Sequence, residues 1–305
     1  MDPSKQCNHT VNIRRLSRLR CALATSLLLS VICVFSGSIR LHGQYNSSWG
    51  SSANIPGKYK TEIQDSKAVI VGSAKNIAKY IPNVMSQIHR LGKLFQDYHI
   101  IISEDGSHDN TVAELYHEDW KIFNNGNSSS TATSHYNQNS RLTVLSNPNF
   151  GKSRIKNLVL ARNVYLEAAK ERFSDFDYLI VFDLDFTCPL NMTTFANAVH
   201  HSDQWDVVSF NIANYWDWFA FRSTLTRKDF LSQLNALRDD ELLEVESAFH
   251  IAGMYKMSLL VPKDCRYIYR DESECEHVSL HRELRERMDA RIMVSPTPLY
   301  ADNCI

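Results

Sequence analysis

Two acids that stand one residue apart, Asp183 and Asp185, directly follow an apolar run from Tyr178 to Phe182. Such a run is typical of a strand buried inside a parallel sheet. Because side chains alternate along an extended chain, both carboxylates would point to the same side. Hard divalent cations take carboxylate oxygens as ligands, and open α/β sheets bind ligands at the carboxyl ends of their strands. The spacing therefore predicts a divalent-cation site at the tip of a central strand.

A second group of acids, Glu104, Asp105 and Asp109, follows another apolar run that ends at Ile102. A carboxylate at a strand tip can accept hydrogen bonds from the base or ribose of a nucleotide. The same loop also has the composition of a strand-to-helix turn, in which Asp109 or Ser107 would cap the next helix. The loop by itself leaves both interpretations open.

Arg162 is a charged residue on the apolar face of a predicted helix. That face is formed by residues at helical spacing, namely Ile155, Leu158, Val159, Leu166 and Ala169. A charge that faces a core is costly unless it is paired. Arg162 therefore belongs either to a structural ion pair or to a site in which its guanidinium group is directed at carboxylates or phosphates.

Strands and helices that alternate along the chain must position these residues. Apolar runs predict strands at 68–71, 98–102, 141–145 and 178–182, and apolar residues at helical spacing predict helices at 77–95, 112–120 and 153–173. This alternation indicates an α/β fold with a mostly parallel sheet and helices on both faces. The segment 124–140, rich in Asn, Ser and Thr, is typical of a surface insertion.

The first 66 residues predict a membrane anchor and a stem. Residues 1–20 carry five Lys or Arg residues against one acid, Asp2. Residues 21–39 are almost all apolar or small, close to the ~20 residues that cross a bilayer. The basic excess before this segment keeps the N-terminus cytoplasmic. We therefore expect a type II protein of the Golgi or ER membrane, with a polar stem at 40–66 and a lumenal domain at 67–305. A cleaved signal peptide is the alternative.

The composition narrows the possible functions. The 305 residues carry a formal net charge of -1, so the chain lacks the overall basic charge of a nucleic-acid-binding protein. Seven cysteines without a CxxC pair give little support to a structural zinc site. In a lumenal domain, Cys188, Cys265, Cys275 and Cys304 could form up to two disulfides.

Glycosylation sequons begin at Asn46, Asn127 and Asn191, and they agree with a lumenal glycoprotein. A further sequon at Asn8 would be cytoplasmic in this topology. The pattern is therefore weak support for the location.

Four segments in this order resemble the landmarks of GT-A-fold, family-2-like glycosyltransferases: 68–76, 104–111, 161–163 and the DxD motif 183–185. The resemblance covers about 67–185 and implies a Rossmann-like GT-A fold that binds a nucleotide sugar. By that resemblance Asp105 contacts the base, Arg162 helps to hold the site together, and Asp183 and Asp185 bind Mn²⁺ or Mg²⁺ on the donor diphosphate. The implied nucleotide-sugar site comprises Ser73, Glu104, Asp105, Asp109, Arg162, Asn163 and Asp183.

The second half of the chain would supply the acceptor side and the catalytic base. Asp217 lies in an aromatic run, 214–222, that fits either a core or a surface on which sugar rings stack. Glu276 is our first candidate for the base that takes the proton of the acceptor hydroxyl, and Asp217 is the second. The alternative for Glu276 is a helix N-terminus at which an acid is placed favourably against the helix dipole.

His277 and His281 would share one face of a helix that begins near Glu276, at a spacing that can serve one metal ion. The alternative is that both rings are merely packed. The segments 271–275 and 292–296 are similar to the C-terminal region of fungal capsule-type mannosyltransferases. This resemblance favours His281 as a metal ligand, with His277 in reserve.

We therefore expect a hexosyltransferase-type glycosyltransferase that moves a sugar from a nucleotide-diphosphate donor to a hydroxyl of a glycan or glycoconjugate with metal assistance. The family-2 resemblance implies inversion at the transferred sugar, and retention is the alternative. One alternative is a haloacid-dehalogenase-type phosphatase, in which Asp183 attacks phosphorus and Asp185 acts as acid and base. Another is a lumenal sugar-binding protein of the same fold without turnover.

Overall fold

Eight strands form one mixed sheet in the computed structural model, which describes residues 55–123, 140–147, 151–212, 217–262 and 264–300. These residues belong to one compact unit of the chain, Asn46–Ile305, and the other unit, Met1–Tyr45, lies outside them. The strand order across the sheet is β3-β2-β1-β4-β7-β5-β8-β6.

The strands are β1 (Lys67–Ala74), β2 (Asp97–Asp105), β3 (Leu142–Asn147), β4 (Tyr178–Asp183), β5 (Val207–Asn211), β6 (Leu243–Glu244), β7 (Ala252–Lys256) and β8 (Ile292–Pro298). The helices are α1 (Gly57–Asp65), α2 (Ile81–Gly92), α3 (Thr111–Phe123), α4 (Arg154–Arg172), α5 (Met192–His200), α6 (Arg227–Ala236), α7 (Met257–Leu260) and α8 (Glu276–Met288). Short 3₁₀ turns lie at Ala78–Tyr80 and Ser202–Gln204.

The first half of the sheet is parallel and contains a topological switch point. From β1 the chain moves outward to β2 and β3, and then returns to place β4 on the other side of β1. Ligands of open α/β sheets bind in the crevice beyond the carboxyl ends of strands at such a point. Ser73 and Asp183 are register partners at these ends of β1 and β4. The predicted α/β sheet with helices is therefore confirmed in this half.

The second half of the sheet is mixed. Strand β7 runs antiparallel to both β4 and β5, β8 runs parallel to β5, and β6 runs antiparallel to β8. At the starting end of β5, Asp206 accepts hydrogen bonds from Lys256 Nζ (3.1 Å) and from Arg291 Nε (3.1 Å). Burial opposes the charged form of Asp206, but the hydrogen bonds from Arg291 and Lys256 outweigh it and lower its pKa to about 2. This cluster ties β5, β7 and β8 together at the end of the sheet opposite the switch point.

The sheet has a hydrophobic core on each face, because successive side chains of a strand point to opposite sides. In β1, Ala68 and Ile70 belong to the core covered by α1, α2 and α5, whereas Val69 and Val71 belong to the core covered by α4, α6 and α8. All four side chains are 0% exposed. Burial on both faces explains why these strands appear in the sequence as continuous apolar runs.

The N-terminal boundary of the folded part differs from the prediction. Residues 57–65, assigned to the polar stem, form α1, in which Tyr59 and Ile63 are buried in the core beside α5. Two apolar residues four positions apart give a short helix one buried face, even though its other residues are polar. The folded part therefore begins before Lys67. The predicted anchor 21–39, residues 40–54 of the stem and residues 124–139 of the insertion lie outside the described residues.

Within the described ranges, no helix has the length and apolarity needed to span a membrane. The sequon at Asn191 is incompatible with glycosylation of the folded protein, because its side chain is buried, caps α5 and bonds Pro298 O. Asn46 and Asn127 lie outside the described residues. Cys188 is disulfide-bonded, and Cys275 is a buried free thiol.

Candidate functional site

A pocket of about 320 Å³ opens at the switch point, beyond the carboxyl ends of β1 and β4. Its walls combine residues from the two strands, from α4 and from the first turn of α8: Ser73, Lys75, Ile77, Arg154, Leu158, Arg162, Asp183, Leu184, Asp185, Asp217, Phe219, Phe249, Cys275, Glu276 and His277. A cleft of about 220 Å³ at the opposite end of β4 includes Lys256, which is already paired with Asp206. Position and chemistry therefore both favour the larger pocket as the functional one.

Arg162 joins the two acidic walls of this pocket. Its Nη2 donates to Asp183 Oδ1 at 2.9 Å and its Nε donates to Glu276 Oε1 at 2.9 Å. The guanidinium group also lies over the rings of Phe249 (5.4 Å) and Tyr267 (5.9 Å). Helix α4 holds this side chain 3% exposed. Arg162 was predicted to belong either to a structural ion pair or to a site with carboxylates. The two interpretations are compatible, because its ion pairs are part of the pocket wall.

Asp183 faces the pocket with a side chain that is 41% exposed. Partial desolvation raises its pKa, Arg162 opposes that rise, and the nearby charges of Glu276 and Asp185 act in the same direction as desolvation. Because the side chain keeps contact with solvent, the effect of desolvation is smaller than for a fully enclosed acid. A cation placed beside Asp183 and Asp185 would relieve the repulsion between the acids.

The spacing of the two DxD acids depends on the residue between them. Leu184 is 3% exposed and packs so closely against β1 that a Cβ on Gly72 would lie 2.7 Å from its side chain. Gly72 is therefore needed for the close approach of the two chains. With Leu184 anchored inward, Asp183 and the exposed Asp185 are left at the pocket.

The residues present fit a hard divalent cation that is also held by a ligand. In the part of the chain that the structure describes, no group of three or more His, Cys, Asp or Glu side chains could hold a metal ion. Mg²⁺ is commonly bound through one or two carboxylates, with water and substrate phosphates completing its shell. Two polar atoms near these acids, Ser73 Oγ and Tyr300 Oη, are buried without a hydrogen-bond partner. Burial, and then the charges of Asp183 and Asp185, raise the pKa of Tyr300.

His281 does not support the predicted role of a third metal ligand. Its ring is 0% exposed, its Nδ1 contacts Ser247 Oγ at 2.9 Å, and its Nε2 contacts Tyr255 Oη at 2.9 Å. Since both nitrogens are engaged, neither lone pair can reach a cation at the DxD acids. The alternative of a packed histidine describes this residue better.

The acidic loop after β2 serves mainly as a turn. Glu104 Oε1 accepts the N–H of Ser107, and Asp109 Oδ1 accepts the N–H of Thr111 at 3.0 Å. Asp109 Oδ2 also accepts the N–H of Ala78 at 3.1 Å. The predicted contacts of Glu104 and Asp109 with a nucleotide are therefore not supported, because these carboxylates already satisfy backbone groups.

Asp105 differs from its neighbours in the loop. It is 6% exposed and forms a 2.8 Å ion pair with Lys75, which lines the pocket. Asn163, by contrast, lies behind the pocket and bonds both the N–H and the C=O of Tyr267, each at 2.9 Å. The predicted ligand contact of Asn163 is therefore not supported, whereas that of Asp105 stays a prediction.

The two candidate bases are placed differently. Glu276 is 4% exposed and is held by Arg162. Asp217 is half-buried at the pocket wall, where its Oδ1 accepts the N–H groups of Phe219 (2.9 Å) and Ala220 (3.3 Å). Those bonds orient the carboxylate without neutralising its charge, so Asp217 is the better placed to accept a proton.

Lys75 and Arg154 line the pocket but were not among the predicted site residues. Lys75 stands just beyond β1, inside the first of the four landmark segments, and Arg154 is the first residue of α4. A basic residue at a strand tip or helix start beside predicted acids is a signal that could have identified both.

Comparisons with known proteins give similarity in structure only. No family model and no curated protein sequence matches this chain. The S. aureus protein TarS (residues 1–349) is similar with a TM-score of 0.45 and 17% identity, over 77% of this chain and 59% of that one. The mannosyltransferase PcManGT from Pyrobaculum calidifontis, in complex with GDP-Man and Mn²⁺, is similar with a TM-score of 0.47 and 15% identity, over 78% and 59%.

A third similar structure is glucosyl-3-phosphoglycerate synthase from Mycobacterium tuberculosis with Mn²⁺, UDP-glucose and phosphoglyceric acid, at a TM-score of 0.42 and 14% identity, over 79% of this chain and 73% of that one. The chain spans 59% of the length of each of the first two proteins.

Proposed function

We propose that this chain is a glycosyltransferase that moves a sugar from a nucleoside-diphosphate donor to an acceptor hydroxyl. The observation that carries the proposal is the position of Asp183 and Asp185 at the switch point of the sheet, joined through Arg162 to the acidic first turn of α8. The site thus combines carboxylates for a cation, a guanidinium group and further acids around one pocket large enough for a small ligand. The four sequence motifs add support.

The DxD acids would hold Mn²⁺ or Mg²⁺ against the donor diphosphate. When bound, such an ion neutralises the charge that develops on the departing nucleotide. Arg162 keeps Asp183 oriented through its 2.9 Å contact, and Leu184 fixes the pair by packing on β1.

Asp217 is the residue that we propose as the base. It would take the proton of the acceptor hydroxyl as that oxygen attacks the anomeric carbon, and inversion follows if the displacement is single. Glu276 would orient the site through Arg162. We further propose that residues 21–39 anchor the protein in the Golgi or ER membrane with the folded domain in the lumen; protection of that domain from added protease in sealed microsomes would test this orientation.

Binding and turnover by variants test the proposed chemistry. Nucleotide sugars should bind the full-length chain more tightly with Mn²⁺ than with chelator, and Asp183→Asn and Asp185→Asn should abolish that difference. Asp175→Asn is a matched control, since Asp175 is an exposed acid paired with Lys67. Asp217→Asn should keep donor binding but slow transfer by about 10²- to 10⁴-fold.

Three outcomes would contradict the proposal in different ways. Binding without turnover of donor by the wild-type protein would indicate the sugar-binding alternative. Release of inorganic phosphate from phosphoesters, lost in Asp183→Asn, would indicate the phosphatase. Full transfer activity in Asp217→Asn with loss in Glu276→Gln would return the role of base to Glu276.

A further inference from the structure

The described part of the aromatic run, 217–222, sends its rings to two different places. Trp218 and Phe221 pack edge to face with ring centroids 5.3 Å apart, and Phe221 lies 4.4 Å from Phe230, which is 0% exposed. Phe219 instead lines the pocket and is 37% exposed. Core packing therefore explains two rings of the run and does not explain the third.

A turn that is held at both ends carries Phe219. Asp217 Oδ1 accepts the N–H groups of Phe219 at 2.9 Å and of Ala220 at 3.3 Å. Ala220 is 0% exposed, its carbonyl oxygen accepts the hydroxyl of Ser247 at 2.8 Å, and the N–H of Arg222 donates to Ser247 O at 2.8 Å. The exposed ring thus stands on a fixed backbone, and a group that is already ordered loses less conformational entropy when a ligand packs on it.

The first of these bonds also places the ring beside the proposed base. Because the carboxylate of Asp217 accepts the N–H of Phe219, the ring projects from a main-chain position in direct contact with that acid. Asp217 and Phe219 both line the pocket. A base must lie within hydrogen-bond reach of the hydroxyl whose proton it takes. A sugar that presents a hydroxyl to Asp217 therefore brings its ring close to Phe219, whatever the orientation of the donor.

We propose that the aromatic ring of Phe219 is the surface on which the sugar ring of the acceptor packs. This inference rests on the proposed function and names the chemical class of the acceptor, a pyranoside with an exposed C–H face. Contact with that face would remove apolar surface of both rings from water. Single exposed apolar side chains are common on protein surfaces, but this one lies within the pocket and beside the proposed base.

The contact can be measured by NMR without turnover. Methyl β-glucopyranoside, methyl β-galactopyranoside and methyl α-mannopyranoside are the probes, each titrated into the full-length chain with Mg²⁺ and either UDP or GDP. The π electrons of an aromatic ring shift the resonances of protons above its face upfield, so the C–H protons of a bound probe should move upfield. Phe219→Leu keeps an apolar side chain without an aromatic ring and should abolish this shift.

Affinities separate the acceptor side of the pocket from the donor side. Phe219→Ala should weaken binding of the glycoside probe about tenfold, as for the loss of one aromatic contact. The same variant should leave the affinities for UDP-glucose, UDP-GlcNAc, GDP-mannose and their nucleotides unchanged with Mg²⁺ present. In transfer assays with a donor that is turned over, Phe219→Ala should raise the KM for the glycoside and not the KM for the donor.

A matched exposed aromatic residue controls for general effects of the substitution. Tyr116 lies on α3, is 38% exposed and lies outside the pocket wall. Tyr116→Ala should leave the affinities for glycoside, donor and nucleotide unchanged. Phe219→Ala should keep the far-UV circular dichroism spectrum and the cooperative urea transition of wild type, so that weaker binding of the glycoside cannot be attributed to unfolding.

The possible outcomes distinguish the sugar contact from the proposed function. Equal glycoside affinities and shifts in wild type and Phe219→Ala would overturn the contact, and a loss of donor or nucleotide affinity in that variant would place the ring at the donor instead. A wild-type protein that binds donor but no glycoside would exclude a pyranoside acceptor. Glycoside binding that depends on Phe219, without binding of any donor, would support the contact and refute the proposed transfer. No binding of either class of probe would refute both.

Discussion

Replacement of Arg162 by Gln tests the central ion-pair arrangement most directly. The variant removes two charge-assisted hydrogen bonds of 2.9 Å and leaves the carboxyl group of Glu276 at 4% exposure without its partner cation. Loss of one partner of a buried ion pair costs about 3–5 kcal/mol. Asp183 is 41% exposed and can regain water, so most of the cost comes from Glu276. We therefore expect a loss of about 3 kcal/mol in the free energy of unfolding.

Urea unfolding followed by circular dichroism at pH 7 measures this loss. The double variant Arg162→Gln/Glu276→Gln should lose less than Arg162→Gln alone, because no unpaired charge then remains buried. Arg238→Gln is the control: its ion pair with Asp240 is exposed, and it should change stability by less than about 1 kcal/mol. A loss below about 1 kcal/mol for Arg162→Gln, or simple additivity in the double variant, would refute the arrangement.

The pH dependence of Arg162→Gln follows from the same contacts. Without the guanidinium group, nothing opposes the rise in the pKa of Asp183 that desolvation and the nearby charges cause, so the folded state binds a proton there more readily than the unfolded state does. Stability then rises as pH falls through the elevated folded pKa of Asp183. The deficit of Arg162→Gln relative to wild type should thus shrink on acidification below neutral pH, and a deficit that grows would contradict the assignment of the lost charge.

Three further variants or treatments probe the packing and electrostatics around the site. Gly72→Ala would force Leu184 to move, so we expect a loss of about 1–3 kcal/mol in the free energy of unfolding by urea and weaker metal-dependent donor binding. Gly57→Ala is the control, because Gly57 has open space around it, and it should show neither effect. Unchanged donor binding in Gly72→Ala would argue against the packing of the DxD pair. Asp206 has a pKa lowered to about 2 and a side chain that is 21% exposed. It should therefore contribute about 1–2 kcal/mol to the free energy of unfolding above about pH 4, and the difference in stability between wild type and Asp206→Asn should vanish as pH falls towards 2. A constant difference would contradict the ion cluster. Burial raises the pKa of Cys275. Iodoacetamide at pH 8 should therefore alkylate this thiol at least about tenfold more slowly in the native protein than in urea, as measured by peptide mass spectrometry. Equal rates would contradict its burial.

The first half of the fold could be predicted because its signals are local. Every predicted strand overlaps an observed strand, at 68–71, 98–102, 141–145 and 178–182. These strands are buried on both faces of the sheet, so each is a continuous run of apolar residues in the sequence. The second half could not be predicted in the same way. Its strands are short, β6 has only 2 residues, and their pairing depends on partners far away in the chain.

Some residues of the site could likewise be predicted from the local sequence, whereas the roles of others depend on partners far away in the chain. Asp183 and Arg162 could be selected because each breaks an apolar pattern, and a polar residue on a buried face demands a partner. Glu104, Asp109, Asn163 and His281 have ordinary polar patterns, and their roles are set by backbone or side-chain partners. The partners of Asn163, for example, lie 104 residues away, so no local pattern indicates that its amide is already hydrogen-bonded.

The choice between Glu276 and Asp217 depends on one side chain that neither sequence position reveals. Both acids line the same pocket, but only Glu276 lies within 2.9 Å of the guanidinium group of Arg162. A proton on Glu276 would weaken that ion pair and leave the Arg162 charge less compensated at 3% exposure. A proton on Asp217 breaks no ion pair within the described residues, and its half-exposed position lets the proton leave to solvent. Asp217, which is held by backbone N–H groups, is therefore the better choice for the proposed base. The buried ion pair of Arg162 and Glu276 links Asp183 to α8.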